Sequence, residues 1–229
     1  MKTAPLKIGI LLFDQVTQLD LTAPFEVFVR LPNSQVELVA KTLAPVYSAP
    51  GNLPLSPTVT FATAPQFDVV MVPGGSGVLP LLEDEVTLDF LREQAKEARY
   101  ITSVCTGALV LDAAGLLRGY EATTHWLSLD LLELFGAIPK TKRVVTDRNR
   151  ITGGGVTAGI DFALTLAAEL YGAETARDIQ LMMEYNPAPP FDAGSPTDAP
   201  AAAKRLRERS KTRQSERREV VLRAAAKLS

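Results

Sequence analysis

The chain has one cysteine, one histidine and one tryptophan in 229 residues. A single cysteine excludes an intramolecular disulfide and makes a reducing compartment the simplest home. One cysteine and one histidine cannot supply the usual nitrogen and sulfur ligands of a metal centre, so no metal is expected. No apolar run is long enough to cross a bilayer. The opening Met1-Lys-Thr-Ala-Pro runs straight into a strand pattern without the apolar core of a signal peptide. Together these absences predict a cytoplasmic protein with no membrane partner.

Charge of one sign is also lacking overall: 24 Lys and Arg stand against 26 Asp and Glu, a formal net charge of −2. The balance hides an asymmetry. From Ala201 onward there are ten Lys/Arg and three Glu, leaving 14 basic and 23 acidic residues before it. The body is therefore about −9 and the tail about +7. A basic tail raises the question of nucleic acid. Here Glu208, Glu216 and Glu219 interrupt the basic run and no aromatic residue is available to stack on a base, so no nucleic-acid partner is expected.

What is present is a regular alternation. Apolar strand patterns fall at residues 7–13, 36–40, 67–72 and 100–104, with a hairpin at 144–145 and 150–152. Helical patterns fall at about 25–29, 84–98, 108–114, 127–135, 158–170 and 173–184, with Thr22 a plausible N-cap, Pro24 in the first turn and Gly172 a stop. Residues 44–65, rich in Pro, Ser and Thr, predict short strands and turns. Alternating strands and helices imply an α/β fold, a mostly parallel sheet with helices on both faces. The expected organisation is an α/β domain over 1–186, a proline-rich connector over 187–200 and a basic C-terminal helix over 201–229.

In such sheets, ligands bind beyond the carboxyl ends of the strands. Three features fall there. The first is Cys105, between a β-branched run and a helix, in Ser103-Val-Cys-Thr-Gly107. It reads either as a small core residue or as a nucleophile at an elbow, where the helix N-terminus favours thiolate. The second is Gly74-Gly75 after a strand, either a tight turn or a backbone donor for developing negative charge near Gly75, with the Thr106 N–H as its natural partner. It lacks the spacing of either nucleotide-binding glycine motif. The third is Asp20 in a loop, either a helix cap or, between Leu19 and Leu21, an inward carboxylate able to move protons. His125 reads either as a partner of Cys105 or as a structural hydrogen-bonding group.

Five stretches together resemble the ThiJ/PfpI superfamily, glutamine-amidotransferase-like proteins of flavodoxin-like three-layer sandwich fold. They are Gln18-Leu-Asp-Leu-Thr22, Val72-Pro-Gly-Gly75, Ser103-Val-Cys-Thr-Gly107, Ala122-Thr-Thr-His-Trp126 and Thr152-Gly-Gly-Gly-Val-Thr-Ala-Gly-Ile-Asp161. Within that superfamily the combination with Asp20 and the proline-rich tail is most similar to the isocyanide hydratases. The resemblance implies a small-molecule isocyanide substrate, no cofactor and a homodimer. It implies Cys105 as nucleophile through a thioimidate, Asp20 as the acid that handles protons and water, and Thr106 as a neighbour on the substrate side. Val156 falls where those enzymes have an aliphatic residue one methylene larger. Glyoxalases and peptidases of the superfamily carry Glu where this chain has Asp20, and the peptidases have His in place of Thr106. A glyoxalase or deglycase, or a ligand- or redox-sensing protein of the same fold, is the alternative.

Overall fold

The computed structural model describes residues 4–228. In chain order its strands are β1 (Leu6–Leu11), β2 (Ser34–Ala40), β3 (Val46–Tyr47), β4 (Pro54–Leu55), β5 (Val59–Thr60), β6 (Val69–Val72), β7 (Tyr100–Val104), β8 (Glu121–Ala122), β9 (Ile138–Pro139), β10 (Val144–Asp147) and β11 (Arg150–Gly153). Its α-helices are α1 (Gln18–Phe28), α2 (Val78–Leu81), α3 (Glu85–Ala95), α4 (Gly107–Ala113), α5 (Ala158–Tyr171), α6 (Ala173–Met182) and α7 (Pro200–Ala226). A 3-10 helix covers Trp126–Leu134.

Seven strands form one sheet in the order β10-β11-β7-β6-β1-β2-β5. All pairings are parallel except the β10–β11 hairpin. The central strands are apolar because both their faces are covered: every residue of β6 is buried, as are Ile8 and Ile10 of β1. Helices α1, α5 and α6 pack together, and α3, α4, α7 and the 3-10 helix form a second group. Phe28 of α1 meets Phe162 of α5 edge to face, with ring centroids 6.1 Å apart. The expected mostly parallel α/β sandwich is the observed one.

Helix α1 departs from the sequence reading. It was expected over 25–29 with Thr22 as N-cap, because proline at 24 suits a first turn. It begins instead at Gln18, with Thr17 as N-cap, so Asp20 lies in the first helical turn and not in a loop. Pro24 sits inside the helix, where it cannot donate to the carbonyl four residues back. Packing overrides that cost: Pro24 is buried and lies against Gly159 of α5, whose missing side chain leaves room for the ring. The segment after His125 is helical as expected but in the tighter 3-10 form.

The tail helix lies on the body. Val221 and Ala224 are buried. Ion pairs link Arg218 to Asp130 at 3.1 Å and Arg223 to Glu83 at 3.0 Å. These exposed pairs add little; the apolar contacts matter more. Burial of Val221 alone is worth about 2 kcal/mol. Truncation after residue 199 is expected to lower Tm by roughly 4–8 °C. Differential scanning calorimetry that finds an unchanged Tm would show that the helix does not support the body.

Candidate active site

Strand β7 ends at Val104, and Cys105 turns the chain into α4 with φ of 56°, a left-handed conformation that a side-chain-bearing residue adopts at a cost of about 1–3 kcal/mol. The turn is held from several sides. The Cys105 N–H donates to the carbonyls of Gly153 (3.0 Å) and Gly154 (2.8 Å) at the end of β11. The Thr124 hydroxyl donates to the Cys105 carbonyl at 2.6 Å. Gly107 lets α4 begin against the end of β6, since a Cβ there would collide with the Val72 carbonyl. The side chain is thereby presented at the carboxyl edge of the sheet.

Asp20 arrives from the first turn of α1 and is fully buried. Its Oδ2 accepts the Gly74 N–H at 3.0 Å, and the carboxyl and the Cys105 thiol interact by hydrogen bond and charge. Gly74 permits this meeting: a Cβ there would lie 2.7 Å from Asp20 Oδ2 and from the Thr106 nitrogen. Asp20 Oδ1 is buried with no N–H or O–H partner among the described residues. Asp20 is therefore neither a loop acid nor a side-chain cap; its carboxyl points inward, at the sulfur.

The two groups control each other's protons. Burial pushes the Asp20 carboxyl up to about 7, against the opposing pull of its hydrogen bonds to Cys105 and Gly74. Burial also pushes the Cys105 thiol well above its ordinary range, the Asp20 charge adds to that, and the backbone N–H groups of Thr106 and Val156 pull the other way. The expected lowering of the thiol by the α4 N-terminus is thus overturned. Cys105 is only 6 % exposed, and desolvation outweighs the short helix. Below about pH 7 both groups carry a proton, and above it the pair keeps one, on the sulfur.

The remaining candidates separate into those at the sulfur and those around it. Thr106 Oγ1 accepts the Gly75 N–H at 3.1 Å, so the Gly75 donor is engaged within the loop. The backbone donors that act on Cys105 are those of Thr106 and Val156. His125 does not form the Cys–His pair. Its Nδ1 accepts the Leu127 N–H at 3.3 Å, which leaves the proton on Nε2, and burial together with the Arg217 charge holds it in the neutral form. His125 and Val156 instead stand between two cavities of about 430 and 410 Å³, the first of which opens onto Cys105.

Sequence reasoning missed part of that first cavity. Ser210, Arg213, Gln214 and Arg217 of α7 line it, and Arg217 Nη1 donates to Ser128 Oγ at 2.6 Å. Their spacing of three and four marks one helical face, a signal present in the sequence but without a place until the tail is docked. Among the described residues no group of three His, Cys, Asp or Glu stands together to hold a metal, and no helix is long and apolar enough to cross a membrane.

The chain is 60% identical over 225 residues to an isonitrile hydratase of Pseudomonas putida, covering 98% of both chains. It is 36% identical over 191 residues to the HTH-type transcriptional regulator GbdR of Pseudomonas aeruginosa, which spans 79% of this chain but 51% of the regulator. Among solved structures it superposes with a TM-score of 0.90 on a ThiJ/PfpI family protein from Pseudomonas syringae, at 45% identity over 97% of this chain and 91% of that one. The model of the DJ-1/PfpI family matches residues 6–169. With a cysteine elbow at the carboxyl edge of a flavodoxin-like sheet, the chain belongs to the DJ-1/PfpI family.

Proposed function

We propose that the protein is an isocyanide hydratase, a lyase that adds water to R–N≡C to give the N-formamide R–NH–CHO. The observation that carries this reading is the buried Cys105–Asp20 pair, whose sulfur borders a cavity of about 430 Å³. The near full-length identity to an isonitrile hydratase, isonitrile being another word for isocyanide, supports it.

The chemistry follows from the proton on the sulfur. The Asp20 carboxylate takes the thiol proton as Sγ bonds to the terminal carbon of the isocyanide. The same proton passes from Asp20 to that carbon, giving the thioimidate R–N=CH–S–Cys105. Asp20, again a carboxylate, takes a proton from the water that attacks the carbon and passes it to the nitrogen, giving the adduct R–NH–CH(OH)–S–Cys105. Collapse of the tetrahedral adduct breaks the C–S bond, forms the formyl C=O and returns a proton to the sulfur. Nothing is oxidised or reduced. The Thr106 and Val156 N–H groups stabilise negative charge on the sulfur, Thr106 Oγ1 fixes the Gly75 loop, and His125 and Val156 shape the pocket. Exposed Val29, Leu181 and Met182 offer apolar surface to a homodimer, in a cytoplasmic setting.

Incubation of purified, chelator-treated protein with several alkyl and aryl isocyanides is expected to yield N-formamides, identified by mass spectrometry. Turnover of methylglyoxal with no formamide from any isocyanide would replace this reading with the glyoxalase one.

A further inference from the structure

The wall that α7 contributes has no part in the hydration steps, yet it is strongly charged. Arg213 and Arg217 face the same cavity, and no Asp or Glu is among its lining residues. Farther along α7, Arg218 pairs with Asp130, and Arg223 and Lys227 both pair with Glu83; these three lie outside the cavity lining. Arg213 makes no ion pair or hydrogen bond among the described residues. Arg217 spends Nη1 on the neutral Ser128 hydroxyl, and its Nε is buried without a partner. Burial opposes the Arg217 charge, negative charge on Cys105 favours it, and repulsion from Arg213 opposes it. Arg217 is half-buried and Arg213 exposed, and two guanidinium groups at one cavity whose lining holds no carboxylate form the complement of an anion.

Cys105 and the two arginines line the same cavity, and Ala49, Pro50, Leu127 and Val156 supply apolar surface. A volume of about 430 Å³ suits a molecule of small-metabolite size. We propose that this cavity takes an isocyanide carrying a carboxylate, with the isocyanide carbon at Cys105 Sγ and the carboxylate against Arg213 and Arg217. This rests on the hydration reading for the reacting end; the anion site itself does not. The carboxylate enters and leaves unchanged, and the product is an N-formyl acid.

The test uses the full chain and a matched pair of substrates, 4-isocyanobenzoate and the neutral 4-isocyanobenzamide. The wild type is expected to favour the benzoate in kcat/KM. Arg213→Gln and Arg217→Gln are each expected to reduce the benzoate-to-benzamide ratio about tenfold, the scale of one hydrogen bond to a charged group. Arg218→Gln removes the same charge from α7 outside the cavity and is expected to leave the ratio unchanged. A second measurement needs no turnover: the rate of Cys105 alkylation by iodoacetate relative to iodoacetamide is expected to fall in Arg213→Gln and Arg217→Gln. If no isocyanide is hydrated but this alkylation ratio falls, the hydration reading is overturned and the anion site stands. If both ratios are the same in wild type and in the two variants, the anion site is overturned, whatever becomes of neutral isocyanides.

Discussion

Cys105→Ser and Cys105→Ala are expected to lose at least about a thousandfold in kcat while remaining folded, because each removes the only atom able to form the covalent bond. Serine places an oxygen where the sulfur was, but an alcohol is a far weaker nucleophile than a thiol at this pH and is equally desolvated. The wild type, quenched in acid during slow turnover, is expected to carry the full mass of the isocyanide on the peptide containing Cys105, since a thiol adds across the terminal carbon without loss of any atom. Because burial and the Asp20 charge hold the thiol protonated, alkylation of the free enzyme by iodoacetamide is expected to keep accelerating past the ordinary titration range of cysteine near pH 8.5. Substantial activity in Cys105→Ala, or an adduct on another peptide, would end the covalent mechanism.

Asp20→Asn is expected to lose about a hundredfold or more in kcat, the scale of a general acid–base group, with no loss of stability. The amide oxygen can still accept the Gly74 N–H, but an amide does not titrate. In the folded protein Asp20 keeps its proton up to about pH 7, whereas an ordinary carboxyl loses it near 3.8. Between these values the folded state binds the extra proton, so the contribution of Asp20 to stability falls as pH rises through that window. Asn is free of this loss, and the variant is expected to melt at or above the wild type at pH 8. Activity runs the other way: the wild-type kcat/KM is expected to rise with pH through about 7 as Asp20 becomes the base, and Asp20→Asn is expected to lack that rise. Near-native kcat in Asp20→Asn would leave Asp20 a structural residue and assign proton transfer elsewhere.

The fold was legible because its signals are local. A strand buried on both faces must be apolar along its length, as β6 is, and Gly172 stops α5 with a φ of 87° that glycine adopts freely. The meeting of Asp20, Gly74 and Cys105 was legible once the strands were taken as parallel, since their carboxyl ends share one edge. Three things were not. The start of α1 was obscured because the packing of Pro24 against Gly159 lies outside any local rule. The direction of the thiol titration was misread because a helix terminus is visible in sequence and burial is not. The separation of His125 from Cys105 was undecidable, because a histidine that caps a turn and one that pairs with a thiol carry the same letter.

The docked tail has a consequence for the order of assembly. Arg223 meets Glu83 across 140 residues of chain and Arg217 meets Ser128 across 89. As synthesis proceeds, the elbow and its carboxylate emerge well before the helix that closes their cavity. A chain that ended in the proline-rich connector would contain the reacting pair, but not the cationic wall proposed to orient a charged substrate. The reacting pair and the wall thus lie on segments made at different times, and a protease that cut the connector would leave α7 joined to the body only by its buried face and ion pairs.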